Sequence, residues 1–219
     1  DMISAFSVES LTKEFFGQLF TWYSDWACKV CKFPSDKCIA ANADLTTEKN
    51  EINLIRLITR IMFVWFIKQK NLIPTWIFNK NELAEILADA DLASDKKGNY
   101  YNAVLQNLFF GALNKKIEER AFAEVSKAGV ANEQYGIKTY FRDANEGSFF
   151  KLSPKEMVKK FLDVPFLNGG LFECLDWDEP IKNNTSHKVH YVDGFSRDKE
   201  RRAFVPNVLF WSEDEKQPG

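Results

Sequence analysis

Between Glu51 and Gln69 the chain reads Ile-Asn-Leu-Ile-Arg-Leu-Ile-Thr-Arg-Ile-Met-Phe-Val-Trp-Phe-Ile-Lys, without Pro or Gly. Wound at 3.6 residues per turn, it places apolar side chains on nearly every face, which predicts a helix with neighbours on several sides. A membrane span needs about 20 apolar residues with few charges. Arg56 and Arg60 interrupt this run, so the pattern predicts the central helix of a soluble helical domain. Four residues apart, the two arginines share one face. They either offer a basic pair to phosphates or bury their stems and pair their head groups with a carboxylate or helix end. The second is favoured, because buried charges are rarely left unpaired.

Other elements follow from the same alternation. Val8, Leu11, Phe15, Leu19, Trp22 and Trp26, widened by Phe16, Phe20 and Tyr23, predict a helix whose aromatic stripe packs in the core. Ser7 is placed to cap it. Lys32-Phe33-Pro34-Ser35-Asp36 ends it, and an exposed polar loop is expected up to about Thr47. After the break at Leu72-Ile-Pro74, Thr75 to Phe78 forms a short helical turn. Asn79 and Glu82 then have capping spacing for a helix facing inward through Leu83, Ile86 and Leu87. A second strong helix is predicted from Asn99 to Asn114. The stretch 126–150 lacks lasting periodicity and is expected to be a long irregular connection with one short strand.

Ser153-Pro154-Lys155-Glu156 predicts a capping box with Pro in the first turn. Pro165 stops that helix. Gly169-Gly170 is expected to make a turn using backbone geometry closed to other residues. It is no phosphate loop, because the Gly-Lys-Ser/Thr or three-glycine pattern is missing. Lys188 to Asp193 alternates like a strand, and Gly194 marks a turn. The expected fold class is mainly α, an irregular multi-helix domain around a central apolar helix at about 51–69. A small β/loop element lies near the C-terminus. Residues 1–176 form the helical domain, and 177–219 a loop/β extension.

Composition narrows function more than fold. Lys and Arg total 29 against 31 Asp and Glu, so bulk charge carries no basic footprint for free-standing nucleic-acid binding. The best local basic cluster is Arg197, Lys199, Arg201 and Arg202, a candidate nucleic-acid-binding loop if not an ordinary solvated one. Asp1 to Glu9 has no basic start followed by an apolar core, so a signal peptide is not expected here. A cytoplasmic protein without membrane partners is expected, and the overlapping Asn183 and Asn184 glycosylation triplets then mean little. Cys28-Lys-Val-Cys31 with Cys38 resembles part of a zinc site that lacks an obvious fourth ligand, since no second Cys-x-x-Cys occurs and His187 and His190 could contribute only by a long-range approach. No Gly-x-Ser-x-Gly or His-Glu-x-x-His motif occurs. No catalytic, cofactor-binding or metal-binding residue is assigned.

Five blocks, in fixed order, carry a resemblance. They are Phe6-Ser-Val-Glu-Ser-Leu-Thr-Lys-Glu-Phe15; Leu54 to Ile67 followed by Leu72-Ile-Pro74; Tyr100-Tyr-Asn-Ala-Val-Leu-Gln-Asn-Leu-Phe-Phe110; Val164-Pro-Phe-Leu-Asn-Gly-Gly-Leu-Phe-Glu173; and Tyr191-Val-Asp-Gly-Phe-Ser196. Together they resemble the helical region upstream of the catalytic domain in bifunctional restriction–modification DNA methyltransferases of the type IIG kind. The resemblance implies a parent enzyme that moves a methyl group from S-adenosylmethionine to adenine N6 in duplex DNA, with Mg a further cofactor candidate. It implies a methyltransferase domain downstream and, in some members, a nuclease domain upstream. The Asn-Pro-Pro-Tyr tetrapeptide and the glycine-bearing cofactor motif are absent from this sequence. The expected role is therefore a non-catalytic connector that positions domains and contacts DNA phosphates. A helical protein-interaction module and a small zinc-stabilised domain are the alternatives.

Overall fold

A computed structural model describes residues 8–34, 43–123, 140–144, 147–167, 169–180 and 187–212. The chain is mainly helical. Helix α1 (Val8–Thr21) continues through a π-helical stretch (Trp22–Ala27) into a last turn at Cys28–Val30. Helix α2 is Ala43–Lys68, so it starts within the stretch expected as a polar loop. A 3-10 turn (Thr75–Phe78) leads to α3 (Lys80–Ile86), where the Asn79 side chain accepts from the amides of Asn81 and Glu82.

Helix α4 comprises two π-helical stretches, Tyr100–Leu105 and Asn107–Leu113, joined at Gln106, whose amide donates to the Tyr101 carbonyl five residues back. Every residue of both stretches is buried. Helix α5 (Pro154–Lys160) forms as its signal predicts. Ser153 Oγ accepts from the Glu156 amide at 3.4 Å, and the Ser153 amide donates to Glu156 Oε2 at 2.9 Å. Strands β1 (Trp177–Pro180) and β2 (His187–His190) pair antiparallel, with Trp177 opposite His190. Helix α6 (Val208–Trp211) closes the described chain.

Phenylalanines fill the centre. Phe109 packs against Phe172, Phe110 against Phe195 and Phe141 against Phe161, with centroids 5.9, 5.0 and 4.8 Å apart. Gly111 is required there, because a Cβ would lie 2.2 Å from the Phe141 ring. Around this core the stretch after β2 interlocks with the helices. Lys32 and Phe204 exchange backbone hydrogen bonds of 2.8 and 2.7 Å. Asn207 accepts from the Tyr100 amide at 3.0 Å and donates to the Asp91 carbonyl at 2.9 Å.

Three expectations change. Helix α2 stands where the pattern places it, yet it packs on one side only. Leu54, Leu57, Val64 and Ile67 are buried, whereas Ile55, Met62, Phe63 and Phe66 face outward. The helix enclosed on all sides is α4. The aromatic stripe meets the core only at its end, where Trp22, Tyr23 and Trp26 pack against it, whereas Leu11, Phe15, Phe16 and Phe20 are exposed. Gly169 is extended at φ −155°, and a Cβ on Gly169 or Gly170 would meet nothing within 4 Å. The glycine that needs its freedom is Gly194, at φ +63°, where a Cβ would strike the Ala203 nitrogen at 2.4 Å.

The readings for Ser7, Cys38, Asn183 and Asn184, for residues 126–139 and for the tail beyond Ser212 lie outside the described residues. Among the described residues, no helix is long and apolar enough to cross a membrane.

Candidate nucleic-acid interface

The 191–203 loop owes its shape to two buried carboxylates. Asp193 Oδ1 meets Arg60 Nη1 at 2.7 Å, and its other oxygen accepts from the Leu175 amide at 2.8 Å. Arg60 also donates through Nε to the Leu171 carbonyl (2.8 Å) and through Nη2 to that of Glu173 (3.0 Å). Its guanidinium lies over the Phe110 ring, 4.9 Å from the centroid. The planar fork of arginine allows one side chain to hold three acceptors at once, two carbonyls of the 171–173 turn and the Asp193 carboxylate. Arg60 is thus the paired structural arginine that the sequence favoured. Arg56 donates to Asn53 Oδ1 one turn back, at 3.2 Å.

Asp176 is nearly enclosed and accepts four consecutive backbone amides. Those of Val192, Asp193 and Gly194 reach Oδ1 at 2.7, 2.8 and 3.1 Å, and that of Phe195 reaches Oδ2 at 2.8 Å. Burial pushes its carboxyl above the usual range and the Asp193 charge adds to that, while the amides pull the other way. From the far side, Gln106 Nε2 donates to the Asp193 carbonyl at 2.9 Å. The turn that follows closes on Asp198, whose carbonyl accepts from the Arg201 and Arg202 amides at 3.0 Å each.

This geometry separates the four basic residues singled out by the sequence. Arg197 is 2% exposed and donates through Nη1 to the Ala123 carbonyl at 3.3 Å, which makes it part of the structure. Arg201 is exposed; its Nε lies 3.5 Å from Asp198 and its guanidinium over Tyr191. Lys199 and Arg202 share a solvent-open cavity of about 380 Å³ with Lys97, Asn99, Ser148 and Phe149. The Arg202 guanidinium is braced over the Phe149 ring at 4.9 Å.

Asp89 also lines the cavity and accepts from Lys97 Nζ at 2.7 Å. This hydrogen bond from Lys97 holds the Asp89 carboxyl below its usual range and raises the Lys97 ammonium. The charge of Lys97 is therefore largely answered within the protein. The cavity mouth thus brings Lys199 and Arg202 together beside the Phe149 ring, a pairing suited to an anionic group. Lys97 was missed in the sequence, where its run of Asp95-Lys96-Lys97 looked like any polar loop.

Neither Cys28 nor Cys31 lines this cavity. Cys31 is buried, and burial pushes its thiol well above the ordinary value. Cys28 is raised by partial burial, and Tyr23 hydrogen-bonded to it is pushed up to about 12, chiefly by burial. Among the described residues, no three His, Cys, Asp or Glu side chains gather into a metal-holding group. Comparison with known protein families, curated proteins and solved structures finds no match to this chain.

Proposed function

We propose that the chain is a non-catalytic helical connector of a restriction–modification DNA methyltransferase, whose parent enzyme methylates adenine N6 with S-adenosylmethionine. The observation that carries this reading is how the resembling blocks meet. Arg60, from the 54–67 block, binds the carbonyls of Leu171 and Glu173 in the 164–173 block and the carboxylate of Asp193 in the 191–196 block. Phe110 and Gln106, from the 100–110 block, close the set from beneath. Four blocks far apart in sequence are thus one another's partners. A segment built this way supplies rigidity, and a rigid connector is what a base-flipping enzyme needs to hold deformed DNA against its catalytic domain.

Lys199 and Arg202 supply the contact with duplex DNA, as sequence-blind phosphate binding that helps register. S-adenosylmethionine belongs to the downstream domain, and no residue of this chain is assigned to it or to Mg. The test is the salt dependence of duplex binding by the intact methyltransferase. Lys199→Ala and Arg202→Ala should each lower the slope of log K against log salt by about 0.9. An unchanged slope in both variants overturns the phosphate role. A protein-interaction module is the second reading, favoured by the exposed apolar faces of α1 and α2.

A further inference from the structure

A guanidinium taken out of water is costly, so a buried arginine is normally saturated with acceptors. Two arginines of this chain follow that rule. Arg60 uses all three nitrogens, on two carbonyls and the Asp193 carboxylate. Arg120 uses all three on the carbonyls of Ala112, Lys115, Phe161 and Val164. Arg142 departs from it. The residue is 6% exposed, yet among the described residues nothing accepts from its buried Nε and Nη1. Asp143, next in the chain, is spent elsewhere: Oδ1 accepts from the Ala144 and Phe149 amides at 2.9 and 2.6 Å, and Oδ2 from Ser148 Oγ at 2.7 Å.

Nor is Arg142 a stray surface side chain. Asn107, fully buried in α4, accepts from the Arg142 amide at 2.7 Å and donates to its carbonyl at 2.9 Å. The guanidinium lies over the Phe195 ring, 5.2 Å from the centroid. Phe195 packs on Phe110, and Phe110 carries the Arg60 guanidinium at 4.9 Å. Each ring of this pair therefore bears one arginine. The fold gives Arg60 a carboxylate at 2.7 Å, and a ring face alone offsets only part of the cost of burying Arg142.

Nε and Nη1 belong to different edges of the guanidinium, so both of its bidentate edges, Nε–Nη2 and Nη1–Nη2, are short of an acceptor. An anion with several oxygens can fill such edges, as chloride, a single point, cannot. A phosphodiester carries a sugar on either side, and a residue 6% exposed leaves it no approach. We propose that Arg142 binds the phosphate group of a small free molecule, inorganic phosphate or a phosphate monoester. The inference stands apart from the DNA reading, whose Lys199 and Arg202 line an open cavity that Arg142 does not.

Thermal melts of the whole chain in inorganic phosphate, with chloride making up equal ionic strength, test it. At phosphate about 100 times its dissociation constant, the melting temperature should rise by about 5–10 °C. Arg142→Met should abolish the rise. In phosphate-free buffer the same variant should melt at or above the unsubstituted chain, because an unanswered buried charge gives way to an apolar side chain of similar length. Arg142→Lys, which keeps the charge but cannot fork, should retain a smaller rise. The double variant Lys199→Ala/Arg202→Ala should keep the full one. A rise below ~1 °C at ~100 mM phosphate overturns the proposal. So does a fall in the melting temperature of Arg142→Met without phosphate, since the chain would then itself supply the acceptor. A rise kept in Arg142→Met but lost in the double variant would put the anion in the open cavity and overturn it equally.

Discussion

Arg60→Met isolates the contact on which the loop architecture turns. The substitution keeps much of the buried stem but leaves Asp193 Oδ1 without its 2.7 Å partner and frees the Leu171 and Glu173 carbonyls. Removing one member of a buried pair costs about 3–5 kcal/mol, mostly the penalty of the charge left behind. With a urea m-value of ~2.5 kcal/mol/M, a loss of ~4 kcal/mol moves the midpoint down by about 1.6 M. Arg60→Lys should fall between, because an ammonium cannot fork to three acceptors. Adding Asp193→Asn to Arg60→Met should cost less than the two single losses combined, with coupling of at least ~1 kcal/mol. A single-variant loss below ~1 kcal/mol, or strict additivity, would refute the assignment of Arg60 as the clamp.

Gly111→Ala should destabilise by about 1–3 kcal/mol in thermal melts, because its Cβ meets the Phe141 ring. Gly169→Ala, in open extended backbone, should be neutral or gain up to ~1 kcal/mol from reduced unfolded-state freedom. Asp176 has a raised folded-state pKa, so it binds a proton more readily folded than unfolded, and its contribution to stability is lost as pH rises through that pKa. The stability cost of Asp176→Asn should therefore be larger at pH 4 than at pH 7, by urea unfolding at both; a smaller cost in acid refutes the direction. Treatment with a zinc chelator should leave the melting temperature unchanged, and a fall of several degrees would revive the Cys28–Cys31 metal site.

Local signals were legible wherever their physics is local. The Ser153–Glu156 box, the Asn79 cap and the helices near 51–69 and 99–114 depend on neighbours a few residues away, and each stands in place. What periodicity cannot say is which apolar face meets the core. The two stripes look equally internal in sequence, yet only one side of α2 packs inward and the first stripe meets the core only from Trp22 onward. The demanding glycine was equally hidden. Gly169-Gly170 drew attention as a pair, whereas Gly194 is pressed by Pro34 and Ala203, neither predictable from its surroundings in the chain.

The same distance in sequence blurred the candidate site. The Arg197–Arg202 cluster was visible as charge, but nothing local tells Arg197, sunk against Ala123, from Lys199 and Arg202 at the cavity mouth. That an apolar helix would not leave Arg60 unpaired could be argued from cost alone. Its partner, 133 residues later, could not.

The cradle around Asp176 has a kinetic corollary. Four successive amides, from Val192 to Phe195, share one acceptor group. None can trade its hydrogen with bulk deuterium until that carboxylate withdraws, so the four should exchange as a set, through a single opening event. Their common rate would clock how often the hairpin side of the molecule lets go of the helices.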